Sequence, residues 1–247
     1  MDEKRKRPKL RTVDKTKPPY PLNKFSKKFP YLLGKEIVYL LATKSKPSLE
    51  GEEWEEIFAK CIGADWKPSN IGLDDVVLGN TAWGAKTVKA NKPFTQEKVR
   101  LISGRNSLVY SFGEILDTTI DPSIPGAQVL EIWNERVSAV REKYKNIRTI
   151  VLVKSNDLLN LVVFEFDTIR YDPELFHWKW NKNSNLEGFD YKSQKKTFTW
   201  QPHGSQFTIH EKIPAEKLQI EIKKPGTVDK GKILEALGYS DDWITVI

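Results

Sequence analysis

An acid and a lysine held side by side on neighbouring strands can do phosphodiester chemistry, and residues 70–89, NIGLDDVVLGNTAWGAKTVK, offer that pair. Asp75 opens a short apolar run, Val76-Val77-Leu78. Gly79-Asn80-Thr81 is turn chemistry, and Trp83 to Val88 reads as a second strand with Lys86 in its middle. If the hairpin loop has two residues (Asn80, Thr81) or four (Gly79 to Ala82), Asp75 faces Lys86 across the strands at roughly 5 Å between Cβ atoms. An odd loop puts Asp74 there instead. The apolar run begins directly after Asp75, which favours that acid. A carboxylate in this position can hold Mg²⁺, and a neighbouring lysine can orient a water and offset charge on a phosphate. The simpler alternative is a cross-strand ion pair, which stabilises by ~0–1 kcal/mol.

Bulk properties narrow the setting of this pair. The 247 residues can form one large domain or two small ones, and 39% apolar with 11% aromatic content can fill a core. The net charge of +7 and pI near 9.2 suggest a polyanionic partner. One cysteine, Cys61, excludes an internal disulfide framework, and with only three histidines a structural zinc site is not expected. No apolar run reaches the ~20 residues of a membrane span, and the N-terminus lacks the apolar core of a secretory signal, so the expected location is cytoplasmic. There is no glycine-rich phosphate loop, no G-x-G-x-x-G and no G-x-S-x-G, which argues against nucleotide-cofactor chemistry and a serine nucleophile.

Elements that would position the pair can be read in order. Residues 1–28 are Lys-, Arg- and Pro-rich and read as a flexible or loosely docked basic arm. Residues 29–247 read as a single domain. An apolar stretch around Glu36–Ala42 predicts a helix. A second helix follows, with Ser48 as the expected N-cap, acids in its first turns, Trp54, Ile57, Phe58, Cys61 and Ile62 on one face, and Gly63 as the C-cap. Val99–Ser103 alternates as a strand. Gly104-Arg105-Asn106-Ser107 reads as a turn whose Arg105 and Asn106, with Arg100 on the strand, could hold phosphates. A short helix is expected over 110–116. Ala127 to Tyr144 reads as the longest helix, and RTIVLVK (148–154) and LNLVVFEFDT (159–168) as central strands. The expected fold class is therefore α/β, a central mixed β-sheet flanked by helices, with an extra β-rich C-terminal region.

The hairpin resembles the PD-(D/E)XK nuclease motif: Asp75, the apolar run, and Lys86 closing the tripeptide Gly84-Ala85-Lys86. Trp83 before it and Thr87-Val88-Lys89 after it look like type II restriction endonucleases. The resemblance covers about twenty residues, and the motif is short and degenerate. Asp74 stands where the proline usually does. Gly84 stands where the second acid usually does, so either that acid has migrated or the site is inactive. In this superfamily a glutamate often lies on the helix before the hairpin, in a Gly-x-x-aromatic-Glu setting. Gly51-Glu52-Glu53-Trp54-Glu55 resembles it and nominates Glu55, with Glu52 next; Glu131, Glu135 and Glu165 are weaker candidates. The resemblance also implies a metal-ligand role for the Ala85 carbonyl.

Residues 172–210 are rich in aromatic, basic and amide side chains, the types that pair with base edges in the major groove or stack beside them. Asn181, Lys182, Asn183, Gln201, His203, Ser205 and Gln206 are the expected readers. The resulting expectation is a Mg²⁺-dependent, site-specific double-stranded DNA endonuclease. It would act as a homodimer, because a palindromic site matches a two-fold axis. The alternatives are a nuclease-like nucleic-acid-binding protein without catalysis, made so by Gly84, or a structure-specific repair or junction nuclease.

Overall fold

Long apolar strands need cover on both faces, and two layers of structure supply it here. The computed structural model describes residues 17–44, 46–68, 71–113 and 119–247. Among them are five α-helices: α1 (Phe29–Thr43), α2 (Gly51–Ile62), α3 (Leu108–Phe112), α4 (Ser123–Lys143) and α5 (Lys230–Ala236). The strands are β1 (Asp65–Trp66), β2 (Val76–Leu78), β3 (Thr81–Lys89), β4 (Lys98–Arg105), β5 (Asn146–Lys154), β6 (Asn160–Asp167), β7 (Phe176–Trp180), β8 (Leu186–Asp190), β9 (Lys196–Gln201), β10 (Gln206–Lys212) and β11 (Leu218–Glu221). A mixed six-stranded sheet has the order β1-β2-β3-β5-β6-β11, and a five-stranded antiparallel sheet has the order β4-β10-β9-β8-β7. The chain is thus mixed α/β. No helix among the described residues is long and apolar enough to cross a membrane.

In the six-stranded sheet only β3 and β5 run parallel, Thr81 beside Asn146 through Lys89 beside Lys154. A parallel pair needs a long crossover, which β4, α3 and α4 provide. One face of the sheet is covered by α1 and α2, where Leu33, Ile37, Trp54 and Phe58 meet Trp83, Ile150, Leu152 and Val163. The other face is covered at one end by α4, whose Trp133, Val137 and Val140 cluster with Val77, Ala82 and Ile147. At the other end Val99 and Leu101 of β4 pack on Val151, Val153 and Phe164. The far side of α4 carries the second sheet through Trp178, Phe198 and Phe207. Gly126 makes that approach possible: a Cβ there would lie 2.4 Å from the Trp178 ring. The C-terminal β-rich region is therefore joined to the rest, because β4 from the crossover forms its edge and β11 returns to the first sheet.

Several boundaries differ from the sequence expectation, each for a physical reason. Of the arm expected over 1–28, residues 1–16 lie outside the described residues. From Tyr20 onward the segment is docked. Asn23 exchanges hydrogen bonds with the Glu165 backbone (Nδ2 to O 3.1 Å; Glu165 N to Oδ1 2.7 Å), Arg148 Nη2 donates to the Tyr20 carbonyl at 2.9 Å, and Phe25 stacks on Phe29. Helix α2 is capped by Glu50 in a reciprocal box with Glu53, not by Ser48. Helix α4 starts at Ser123 rather than Ala127, because Pro125 falls in the first turn, where a backbone N–H has no helical partner to lose. The short helix expected over 110–116 spans Leu108–Phe112 and stops at Gly113 (φ 72°); residues 114–118 lie outside the described residues.

Candidate functional site

The hairpin forms, with a different register from the one expected. Leu78 pairs with Thr81, Val77 with Ala82 and Val76 with Trp83, so the turn is Gly79-Asn80. Gly79 takes φ 57°, the left-handed backbone that a tight two-residue turn with glycine first requires. Continued one step, this register sets Asp75 beside Gly84, not beside Lys86. Strand alternation still leaves Asp75, Gly84 and Lys86 on one face, the face that α4 covers. The Asp75 carboxylate is buried, at 3% exposure, and its Oδ2 accepts the Ala85 N–H at 3.4 Å. The Ala85 side chain points the other way, into the core under α1 and α2. In an extended strand a residue's N–H and C=O share an edge, so the Ala85 carbonyl lies on the Asp75 side.

Gly84 is fixed by what crosses it. A Cβ built there would lie 2.7 Å from the Gly72 carbonyl oxygen and 3.1 Å from Leu73 Cα. The chain entering the hairpin passes so close that no side chain fits, and a second acid on β3 is sterically excluded.

Another acid approaches from α2. Glu55 is partly buried, and Trp66 Nε1 of β1 donates to its Oε2 at 3.3 Å. Burial raises its pKa above the ordinary glutamate value, and the Asp75 charge raises it further, while Lys86 pulls it down. Burial lowers the pKa of Lys86; the Asp75 and Glu55 carboxylates oppose that shift, and Arg136 adds to it. Glu55 and Asp75 are thus coupled by charge to Lys86, and Arg136 to Asp75 and Lys86. Gly72 lies against two of these groups: a Cβ there would be 3.9 Å from Arg136 Nη2 and 4.0 Å from Lys86 Nζ.

Arg136 is the residue that sequence reasoning missed. On a long helix it passes for outer-face charge, yet it lies three residues after Trp133 beside the apolar stripe, and that position is the signal that could have flagged it. Its guanidinium donates to the Ile71 and Ser103 carbonyls and to Asn106 Oδ1 (3.4 Å). It therefore ties the entry to the hairpin to the end of β4.

No family model, curated protein or solved structure matches the chain.

The expected base readers fall into two groups. Leu186 pairs with Trp200 and Arg105 with Gln206, so the β7–β8 turn, the β9–β10 turn and the end of β4 lie at one end of the second sheet. Arg105, Lys182, Asn183 and His203 are exposed there, with Gln201, Ser205 and Gln206 partly buried. Asn181 instead holds its own turn together. Its Oδ1 accepts from the Asn183 and Asn185 amides, and its Nδ2 donates to Glu187. Asn106 does not face solvent as a phosphate holder would. It is fully buried, donating Nδ2 to the Val129 carbonyl and its N–H to the Ser205 carbonyl, and accepting from Trp200 Nε1. Arg100 pairs with His210, five residues back from Arg105, and stays away from this end by roughly 17 Å at ~3.4 Å per residue. Trp178, Phe198, Trp200 and Phe207 are core residues, not stacking platforms.

The other acids considered stand apart. Glu165 is on the opposite face of the sheet, accepting from Arg148 (2.9 Å) and Trp83 Nε1 (2.8 Å). Glu52, Glu131 and Glu135 are exposed. Among the described residues no group of three His, Cys, Asp or Glu side chains is placed to hold a metal. The oxygen donors that the hairpin and α2 offer are two carboxylates, Asp75 and Glu55, and the Ala85 carbonyl. An all-oxygen set with at most two carboxylates fits a hard cation that keeps much of its water shell, as Mg²⁺ does. Chemically, the arrangement offers a metal-type oxygen set, a desolvated ammonium and a nearby guanidinium at the foot of a polar rim.

Proposed function

We propose that the chain is a Mg²⁺-dependent, site-specific DNA endonuclease with a restriction-endonuclease-like core. The reading is carried by two observations together: a side chain at Gly84 would meet the Gly72 carbonyl, so the second acid cannot stand there, and Glu55 on α2 is coupled by charge to both Asp75 and Lys86. Asp75, Glu55 and the Ala85 carbonyl would hold the ion. When bound, Mg²⁺ polarises a phosphate oxygen and acidifies a coordinated water. Lys86 would donate to the attacking water or the phosphate, and the two carboxylates oppose the lowering of its amine pKa by burial. Arg136 holds the hairpin entry in place and adds positive potential. Arg105, Lys182, Asn183, Gln201, His203, Ser205 and Gln206 form a rim suited to a DNA groove, linked to the site through Asn106 and Arg136. A two-fold homodimer on double-stranded DNA follows if the site is palindromic.

A second reading, binding without catalysis, is favoured by Gly84 itself. Incubation of unmethylated phage DNA with the protein, with Mg²⁺ or with EDTA, separates the two. Discrete Mg²⁺-dependent fragments, absent with Lys86→Ala, support the endonuclease. Intact DNA that is shifted on a gel supports binding alone, and neither cleavage nor shift contradicts both.

A further inference from the structure

Two apolar features on the surface, both away from the site, are left uncovered by the chain's own fold. Beyond Ile222 every described residue is exposed or half-buried, and none joins the three apolar cores. This segment nevertheless ends in Trp243-Ile244-Thr245-Val246-Ile247, a run of aromatic and β-branched residues with high strand preference. Trp243, 62% exposed, closes the short 3-10 turn Asp241–Trp243 with its ring against Tyr239; beyond it Ile244 is extended (φ −116°, ψ 122°) and Val246 is 93% exposed.

The second feature is the outer edge of the six-stranded sheet. Strand β11 pairs only with β6, so among the described residues no strand meets its other edge. Beside that edge a groove of about 920 Å³ runs between β11 and the outer face of α1, lined by Tyr31, Val38, Tyr39 and Ile220. Tyr31 is 74% exposed and Tyr39 69%. An open edge beside an apolar groove is the geometry for β-strand addition, in which backbone hydrogen bonds give affinity and alternate side chains enter the groove. Charge matches as well. Lys35 and Lys223 stand at the groove against a single acid, Glu221, and Asp241-Asp242 immediately precede the apolar run.

We infer that residues 243–247 of a second copy add as a strand to the outer edge of β11, reciprocally, to form a two-fold dimer. The chain's own tail is led elsewhere. The Val228 N–H bonds to the Ala42 carbonyl, which ties the connecting segment to the C-terminal end of α1, whereas the groove lies along residues 30–39. Alternation puts Trp243 and Ile247 on one face, where Tyr31 and Tyr39 receive them, and Ile244 and Val246 on the other. This interface does not depend on the nuclease reading.

Sedimentation velocity of the full chain at micromolar concentration tests it with two variants altered only at exposed or half-buried positions. The tail variant carries Trp243→Ser and Ile247→Ser, the two side chains that enter the groove; the groove variant carries Tyr31→Ser and Tyr39→Ser. Circular dichroism checks that both remain folded. The wild type sediments as a dimer, and each variant self-associates at least tenfold more weakly. An equimolar mixture of the two variants recovers a heterodimer, because one intact tail still meets one intact groove. A monomeric wild type, a dimer indifferent to both variants, or a mixture that stays monomeric overturns the inference.

Discussion

At the scale of single residues, the site rests on a substitution of position. Gly84 cannot carry an acid, because the Gly72 carbonyl occupies the space its Cβ would need. Restoring the usual motif with Gly84→Glu therefore does not raise activity. It destabilises, by about 1–3 kcal/mol as forced overpacking does, and a lowered urea midpoint at unchanged slope would register it. Lys86 tests the other half of the pair. Lys86→Ala lowers the cleavage rate by ~10²–10⁴-fold, the usual contribution of a positioned proton-transfer group, while a gel-shift assay with Ca²⁺ in place of Mg²⁺ shows DNA binding within a few-fold of wild type. Equal loss of binding and cleavage would make Lys86 a binding residue instead.

At the scale of elements, the six-stranded sheet keeps two polar systems apart by strand alternation. On the α4 face are Asp75 and Lys86. On the opposite face a buried network joins Glu165, Arg148, Trp83, Tyr20 and Asn23, and pins the N-terminal segment to β3, β5 and β6. Removing one partner of a buried ion pair leaves the other charge uncompensated, so Glu165→Ala costs about 3–5 kcal/mol in chemical denaturation. Its effect on cleavage at a temperature where the variant is fully folded is small, because the network lies across the sheet from Asp75 and Lys86 and touches neither.

This division marks what could be read in the sequence. The helix that carries Glu55 was legible, because Trp54, Phe58 and Cys61 recur on one face and Gly63 closes it. The hairpin was legible from its turn residues, but its register was not: Gly79 and Thr81 are both acceptable turn residues, and the choice of Gly79-Asn80 depends on Thr81 being buried beside Asn146 of β5. The partners of Asn106 and Arg136 were not legible, since they lie far away in the chain; the one local signal was the place of Arg136 beside the apolar stripe of its helix. Tyr20 and Asn23 failed for the same reason: a basic, proline-rich segment reads as an arm until Glu165 and Arg148 supply its partners.

At the scale of the whole molecule, charge and register act together. The second sheet gathers its polar turns, with Arg105 and Lys182, at one end, and the chain's net charge of +7 favours a polyanionic partner. Binding to DNA consequently weakens with added salt, with log affinity falling linearly against log salt, and a flat dependence would argue against phosphate contacts. The same sheet carries a titration. Burial lowers the His210 pKa to about 4, with Lys196 and Arg100 adding to the shift. The unfolded chain, with an ordinary histidine near 6.5, binds more protons than the folded one between those values. Stability from this group is thus full above pH ~6.5 and is lost as pH falls toward 4. Denaturation midpoints measured across this range decline for the wild type and decline less for His210→Gln.

The central claim is that Glu55 supplies the acid that β3 cannot. Its most direct test is the Mg²⁺-dependent cleavage of unmethylated phage DNA by wild type, Glu55→Gln and Glu52→Gln, side by side. Discrete fragments from the wild type and from Glu52→Gln, with cleavage by Glu55→Gln reduced at least a hundredfold, are the predicted result. Cleavage by Glu55→Gln at the wild-type rate, or a wild type that leaves the DNA intact, would contradict it.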